Sequence, residues 1–215
     1  MPRSDTDRSE VAAVARATAR VLLIPGLHGS GPGHWQRWLQ HQYAGARRVE
    51  QDDWQVADLD RWAANIERTV RSADEVGWIA VAHSFGCLAL AHYLQGSGRG
   101  IAGLLMVAPA DPRKFGVAHR LPLHPLGVHG YLVASESDPW MRIESASAWA
   151  LLWAVRFMNI GRAGHVNAEA GFGPFPVARQ LVDEFLAATP AASKSRLQEQ
   201  DPTWIARTSL LRFAI

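Results

Sequence analysis

Short, unbroken apolar runs dominate the pattern of this chain. Val21-Leu22-Leu23-Ile24 stops at Pro25-Gly26, and Val76 to Ala82 leads into His83-Ser84. Ile101 to Val107 closes at Ala108-Pro109, Tyr131 to Ala134 precedes Ser135-Glu136, and Arg156 to Ile160 precedes Gly161. A strand with one wet face alternates apolar and polar residues, whereas an unbroken run needs cover on both faces. Between the runs lie helical patterns: Gly33–Tyr43, Leu59–Ala73, Ser84–Leu94, Ile143–Trp153 and Val177–Leu186. The second carries Leu59, Trp62, Ala63, Ile66 and Val70 at helical spacing, with Asp58 or Asp60 at its start. Arg47–Glu50 reads as a short strand and 111–130 as a long loop. Alternating strands and helices predict a three-layer α/β/α sandwich around a mostly parallel sheet.

The 215 residues allow one domain. The regular pattern spans 20–188. Residues 1–19 read as an N-terminal extension, and 189–215, opening on a Pro-Ala-Ala-Ser-Lys-Ser run, as a C-terminal tail. A formal charge of +2 argues against nucleic acid as a partner. No apolar stretch approaches the roughly 18 residues of a membrane span. Arg16 and Arg20 interrupt the only stretch resembling a signal peptide, so a cytoplasmic protein is expected. A single cysteine, Cys87, excludes an internal disulfide and a Cys-based zinc site. It reads as a small buried residue against the sheet. The chain holds nine Trp, enough to fill the core and also to line a pocket or a homodimer interface.

In parallel sheets, sites form where strands end. Ala82-His83-Ser84-Phe85-Gly86 lies between a strand and a helix, the context of a nucleophile elbow. Ala82 stands where the usual motif has Gly, adding one methyl. Ser84 could otherwise be a plain helix N-cap. A serine nucleophile needs a base, and the base needs an orienting acid. Asp138 follows the strand ending at Ala134, and His165 follows the strand ending at Ile160. The chain order Ser, Asp, His is the one this kind of sheet uses. Asp111 and Glu136 are rival acids, of which Asp138 is preferred.

Two backbone N–H groups should face the developing oxyanion. Phe85 follows the nucleophile and supplies one. The Gly-rich loop Pro25-Gly26-Leu27-His28-Gly29-Ser30-Gly31 supplies the other, assigned to Leu27 with His28 as the alternative. That loop lacks the Gly-Lys-Ser/Thr of a phosphate-binding loop. His28, His34 and His41 lack carboxylates at ligand spacing, so no metal and no cofactor is expected. His28, Trp35, Trp54, His83, Trp140 and Phe172 flank these loops and are candidates for a substrate pocket.

With these residues, the chain resembles the α/β-hydrolase superfamily, and within it the small retinoblastoma-binding protein 9 / YdeN-like serine hydrolases. The resemblance rests on Pro25-Gly26, Gly33-His34-Trp35 with Trp38, and Val49 to Trp54. It continues through Val81 to Ala89, Val107-Ala108-Pro109, Ala134 to Pro139, and Ala163 to Glu169 with Gly171-Phe172-Gly173. It covers about residues 20–187. It implies a compact hydrolase with little or no cap domain and a Ser84-Asp138-His165 triad acting on a small-molecule acyl substrate, such as a short ester. A non-catalytic binding module on the same fold and an acyltransferase are the alternatives. The sequence is compatible with a monomer or a homodimer.

Overall fold

The computed structural model describes residues 20–72 and 77–188. The expected N-terminal extension, the C-terminal tail, Ala73 and Val76 lie outside the described residues. Six strands form one sheet: β1 (Val21–Ile24), β2 (Arg47–Arg48), β3 (Trp78–Ser84), β4 (Ile101–Pro109), β5 (Gly130–Ala134) and β6 (Arg156–Asn159). Their order is β2-β1-β3-β4-β5-β6, and every pairing is parallel. The helices are α1 (Trp35–Gln40), α2 (Leu59–Arg71), α3 (Phe85–Gln95), α4 (Ile143–Leu152) and α5 (Pro176–Ala188).

Successive strand residues point to opposite faces, and this divides the core in two. Leu22, Ile24, Ala80, Ala82, Leu104, Met106 and Leu132 pack with Trp62 and Ile66 of α2, Leu88 of α3 and Ala150 of α4. Val21, Leu23, Ile79, Val81, Leu105, Val107 and Val133 pack with Trp35 and Leu39 of α1 and Leu181 and Val182 of α5. Both faces are dry, which is why the strands read as continuous apolar runs. The strand order reverses between β1 and β3, and their carboxyl ends flank the topological switch point.

Local signals set the helix ends. Asp58 accepts hydrogen bonds from the Asp60 and Arg61 amides at 3.1 Å and starts α2. Helix α1 is shorter than the expected Gly33–Tyr43 at both ends: His34 is its N-cap, with Nδ1 accepting from the Gln36 amide at 3.1 Å, and His41 is its C-cap. Strand β3 runs two residues beyond Ala82, to Ser84. The long loop between β4 and β5 carries one 3₁₀ turn, Ala118–Arg120. It is tacked down by buried Val117, Leu121 and Leu126 and by the Trp153 indole, which donates to the Pro122 carbonyl at 3.0 Å. Among the described residues, no cap domain covers the carboxyl edge of the sheet, and no helix is long and apolar enough to cross a membrane.

Candidate active site

Ser84 joins β3 to α3 with φ 53° and ψ −125°. A non-glycine residue at positive φ is strained. Its hydroxyl makes no cap bond to α3, so the serine is no ordinary N-cap. The chain turns this sharply because its neighbours are small. Ala82 is wholly buried. A Cβ at Gly26 would lie 2.7 Å from the Ser84 Cβ, and one at Gly86 would collide with the backbone carbonyls of Ile24 and Pro25.

The candidate acid and base, Asp138 and His165, lie on the loops after β5 and β6. Two serine hydroxyls join those loops: Ser135 Oγ accepts from the Ala163 amide at 2.8 Å, and Ser137 Oγ from the Gly164 amide at 3.0 Å. Within this frame His165 Nδ1 lies 2.9 and 3.0 Å from the two Asp138 oxygens, and His165 Nε2 lies 2.9 Å from Ser84 Oγ. The Asp138 side chain is 3% exposed and that of His165 9%. An ionised carboxylate only accepts, so Nδ1 carries the ring proton and the Nε2 lone pair faces the Ser84 hydroxyl. The rival acids are engaged elsewhere. Asp111 pairs with Arg113 at 3.1 Å, and Glu136 accepts from the Asn159 amide group at 2.9 Å.

Of the two candidate loop donors, His28 donates its N–H to the Trp54 carbonyl at 2.9 Å. Leu27 has no such partner among the described residues. Phe85 is the first residue of α3, where an N–H has no intrahelical acceptor. The pocket candidates separate. His28 is exposed, with φ 65°, and Trp54 is half-buried beside the same loop. Trp140 is 44% exposed, with its ring 6.0 Å from that of His165. Phe172 is half-buried and packs edge-on against Phe175. Trp35 and His83 correct the sequence reading. Trp35 is 0% and His83 5% exposed, so both lie beneath the site and line no open pocket.

Sequence reasoning missed Phe115, whose ring lies 5.1 Å from Phe85 and stacks on Trp140 at 6.3 Å. It sits in the aperiodic β4–β5 loop, where no pattern marks it. Ser135 and Ser137 were also missed, although the run Ser135-Glu136-Ser137 is the composition of a turn that binds backbone amides. Cys87 is buried, its thiol donating to the Val107 carbonyl at 3.6 Å, and burial pushes its pKa up. His28, His34 and His41 do not converge, and among the described residues no group of three or more His, Cys, Asp or Glu side chains is placed to hold a metal ion.

Burial lowers the His34 pKa to about 4, partly opposed by Glu169 and helped by His165 and Arg48. Burial also pushes His83 well below its ordinary range, with His34 and His165 adding to the effect. Both rings are therefore neutral in the folded protein near pH 7. Between about pH 6.5 and 4 the unfolded chain binds more protons at His34 than the folded one does, so stability falls with pH. At about pH 4.5 the loss from His34 alone is about 2 kcal/mol. Urea unfolding at about pH 7 and 4.5 should show this loss, and His34→Asn, which caps without titrating, should lose less. Equal losses in the two proteins would show that His34 titrates normally in the fold.

A parallel sheet with helices on both faces and a strained serine at the end of β3 defines an α/β hydrolase. The chain belongs to the serine hydrolase family, which it matches over residues 21–184. A YdeN-like hydrolase from Pectobacterium atrosepticum is 36% identical, with a TM-score of 0.78 over 84% of this chain and 97% of that one. The ydeN gene product of B. subtilis is 18% identical, with a TM-score of 0.66 over 79% of this chain and 100% of that one. Est1E from Butyrivibrio proteoclasticus, solved with ferulic acid, shares the fold at 14% identity and a TM-score of 0.62, over 80% of this chain and 90% of that one. No curated protein matches the chain.

Proposed function

We propose that this protein is a cytoplasmic carboxylesterase that cleaves small acyl esters through a Ser84-His165-Asp138 triad and an acyl-enzyme. The observation that carries the reading is the hydrogen-bonded line from Ser84 Oγ through His165 to Asp138, at 2.9 Å on each side of the ring. Ser84 Oγ attacks the ester carbonyl carbon while His165 Nε2 takes the hydroxyl proton. Asp138 holds the ring tautomer and stabilises the imidazolium. The N–H groups of Leu27 and Phe85 receive the oxyanion, each donor contributing roughly 3–4 kcal/mol to the transition state. His165 returns the proton to the leaving alkoxide. Water then attacks the acyl-enzyme, with the same base accepting its proton, and the acid and free Ser84 are released.

The rim of the site supports this substrate class. Trp140 presents aromatic surface beside His165 and Phe115 stacks on it, while Leu27 is half-buried in the loop after β1 and half-buried Trp54 lies against that loop. Such walls suit an apolar acyl group, and the uncovered edge suits a small ester. A buried single thiol suits a reducing compartment. The test is labelling with a fluorophosphonate probe, comparing the native protein with Ser84→Ala and His165→Ala. Labelling of the native protein should vanish in the first variant and fall by at least about 10³-fold in rate in the second. Folded native protein that neither labels nor hydrolyses short p-nitrophenyl esters would overturn the reading.

A further inference from the structure

The turn that carries His165 is strained and held from beneath. Gly164 has φ 57° and Val166 φ 48°. A β-branched residue is an outlier at such a φ, so the surrounding structure must impose it. Two buried ring N–H groups meet the backbone there. His83 Nε2 lies 2.9 Å from the His165 carbonyl oxygen, and Trp35 Nε1 donates to the Val166 carbonyl at 2.8 Å. A carbonyl only accepts, so His83 carries its proton on Nε2. Neither donor has freedom to follow a moving turn. Trp35 is wedged edge-on against Phe175 at 5.6 Å and against His83 at 6.0 Å. The His83 ring lies between those of His34, at 4.8 Å, and His165, at 4.9 Å.

The connectivity gives these bonds a purpose. His83 is the chain neighbour of Ser84. One dipeptide therefore places the hydroxyl that faces His165 Nε2 and grips the His165 main chain. Ser84, His83, the His165 carbonyl and the His165 ring close a small cycle, which fixes the Oγ to Nε2 separation from both sides. Trp35 holds the next carbonyl and keeps Val166 in its strained form. We infer that His83 and Trp35 are positioning residues, clamping the carbonyls of His165 and Val166 so that the imidazole stays between Ser84 and Asp138. The inference rests on the reading of His165 as the base.

Three variants and two readouts test it. His83→Phe keeps a buried ring but loses the donor, His83→Gln keeps an N–H of similar reach, and Trp35→Phe loses the indole donor together with part of the ring's volume. Hydrolysis of a short p-nitrophenyl ester should show kcat lowered about 10- to 100-fold in His83→Phe and Trp35→Phe, the range expected for slight misplacement of a reacting group. KM should stay within about twofold, since neither side chain reaches the surface, and His83→Gln should recover most of the rate. The second readout is the proton NMR signal of the His165 Nδ1–H that faces Asp138. It should be present in the native protein and His83→Gln and lost in the other two. Should His83→Phe fail to fold, Trp35→Phe carries the same prediction. Variants that keep both the native kcat and the signal would overturn the clamp. If the native protein hydrolyses no ester, the proposed function fails and the NMR readout alone decides the clamp.

Discussion

Replacing Gly86 with alanine is expected to damage stability and activity together. Gly86 lies in the first turn of α3, directly over the end of β1. A Cβ there would stand 2.5 Å from the Ile24 carbonyl oxygen and closer still to that of Pro25. These are backbone atoms, one in the last residue of a paired strand and one in the proline after it, so neither can rotate aside as a side chain would. Overpacking usually costs about 1–3 kcal/mol, and a clash with fixed backbone belongs at or above the top of that range. Relief requires α3 and β1 to separate. That movement carries the 25–29 loop away from Ser84, because Gly26 already abuts the Ser84 Cβ. A shift of about 1 Å at a reacting centre can cost 10²-fold in rate, so labelling of Ser84 should slow by at least that factor. Gly31, whose added Cβ would meet nothing within 4 Å, is the control. Gly31→Ala should stay within about 0.5 kcal/mol of native stability. Native stability and labelling in Gly86→Ala would show that the elbow has slack the packing does not reveal.

The sequence carried the fold because burial on both faces leaves a local trace: continuous apolar runs at β1, β3 and β4, closed by small residues. The line from Ser84 to Asp138 was legible for a related reason. Each candidate follows a strand, and a parallel sheet brings all strand ends to one edge. What escaped the sequence depends on contacts between distant segments. Ser135 reaches Ala163, and His83 reaches the His165 carbonyl, and no local pattern records either bond. Trp residues misled for the opposite reason. Trp35 and Trp140 both flank catalytic-looking loops, and an indole suits a core and a pocket rim equally well. Only the packing of α1 against the sheet puts Trp35 inside, while Trp140 stays 44% exposed. The start of helix α1 is hidden in the sequence because histidine is outside the usual N-cap set, yet His34 caps it.

Asp138→Asn is expected to preserve the fold and lower kcat by about 10⁴-fold, the size of effect seen when a triad acid loses its charge. Asp138 Oδ1 accepts from the Trp140 amide at 2.8 Å, and both oxygens lie within 3.0 Å of His165 Nδ1. An asparagine of the same shape must keep its carbonyl oxygen toward the Trp140 N–H. Its NH₂ then faces His165 Nδ1 and donates to it. The imidazole is driven to the opposite tautomer, with its proton on Nε2, where it can no longer accept the Ser84 proton. Positive charge on the ring also loses its counter-charge. The substrate pocket is untouched, so KM should move little while kcat collapses. Asp111→Asn and Glu136→Gln discriminate the rival acids. Asp111 is tied to Arg113, and Glu136 to Asn159. Neither change alters what faces Nδ1, so both should stay within about threefold of native, well under 1 kcal/mol of transition-state stabilisation. A loss in Asp111→Asn as deep as that in Asp138→Asn would move the acid to the end of β4 and break the proposed line through His165.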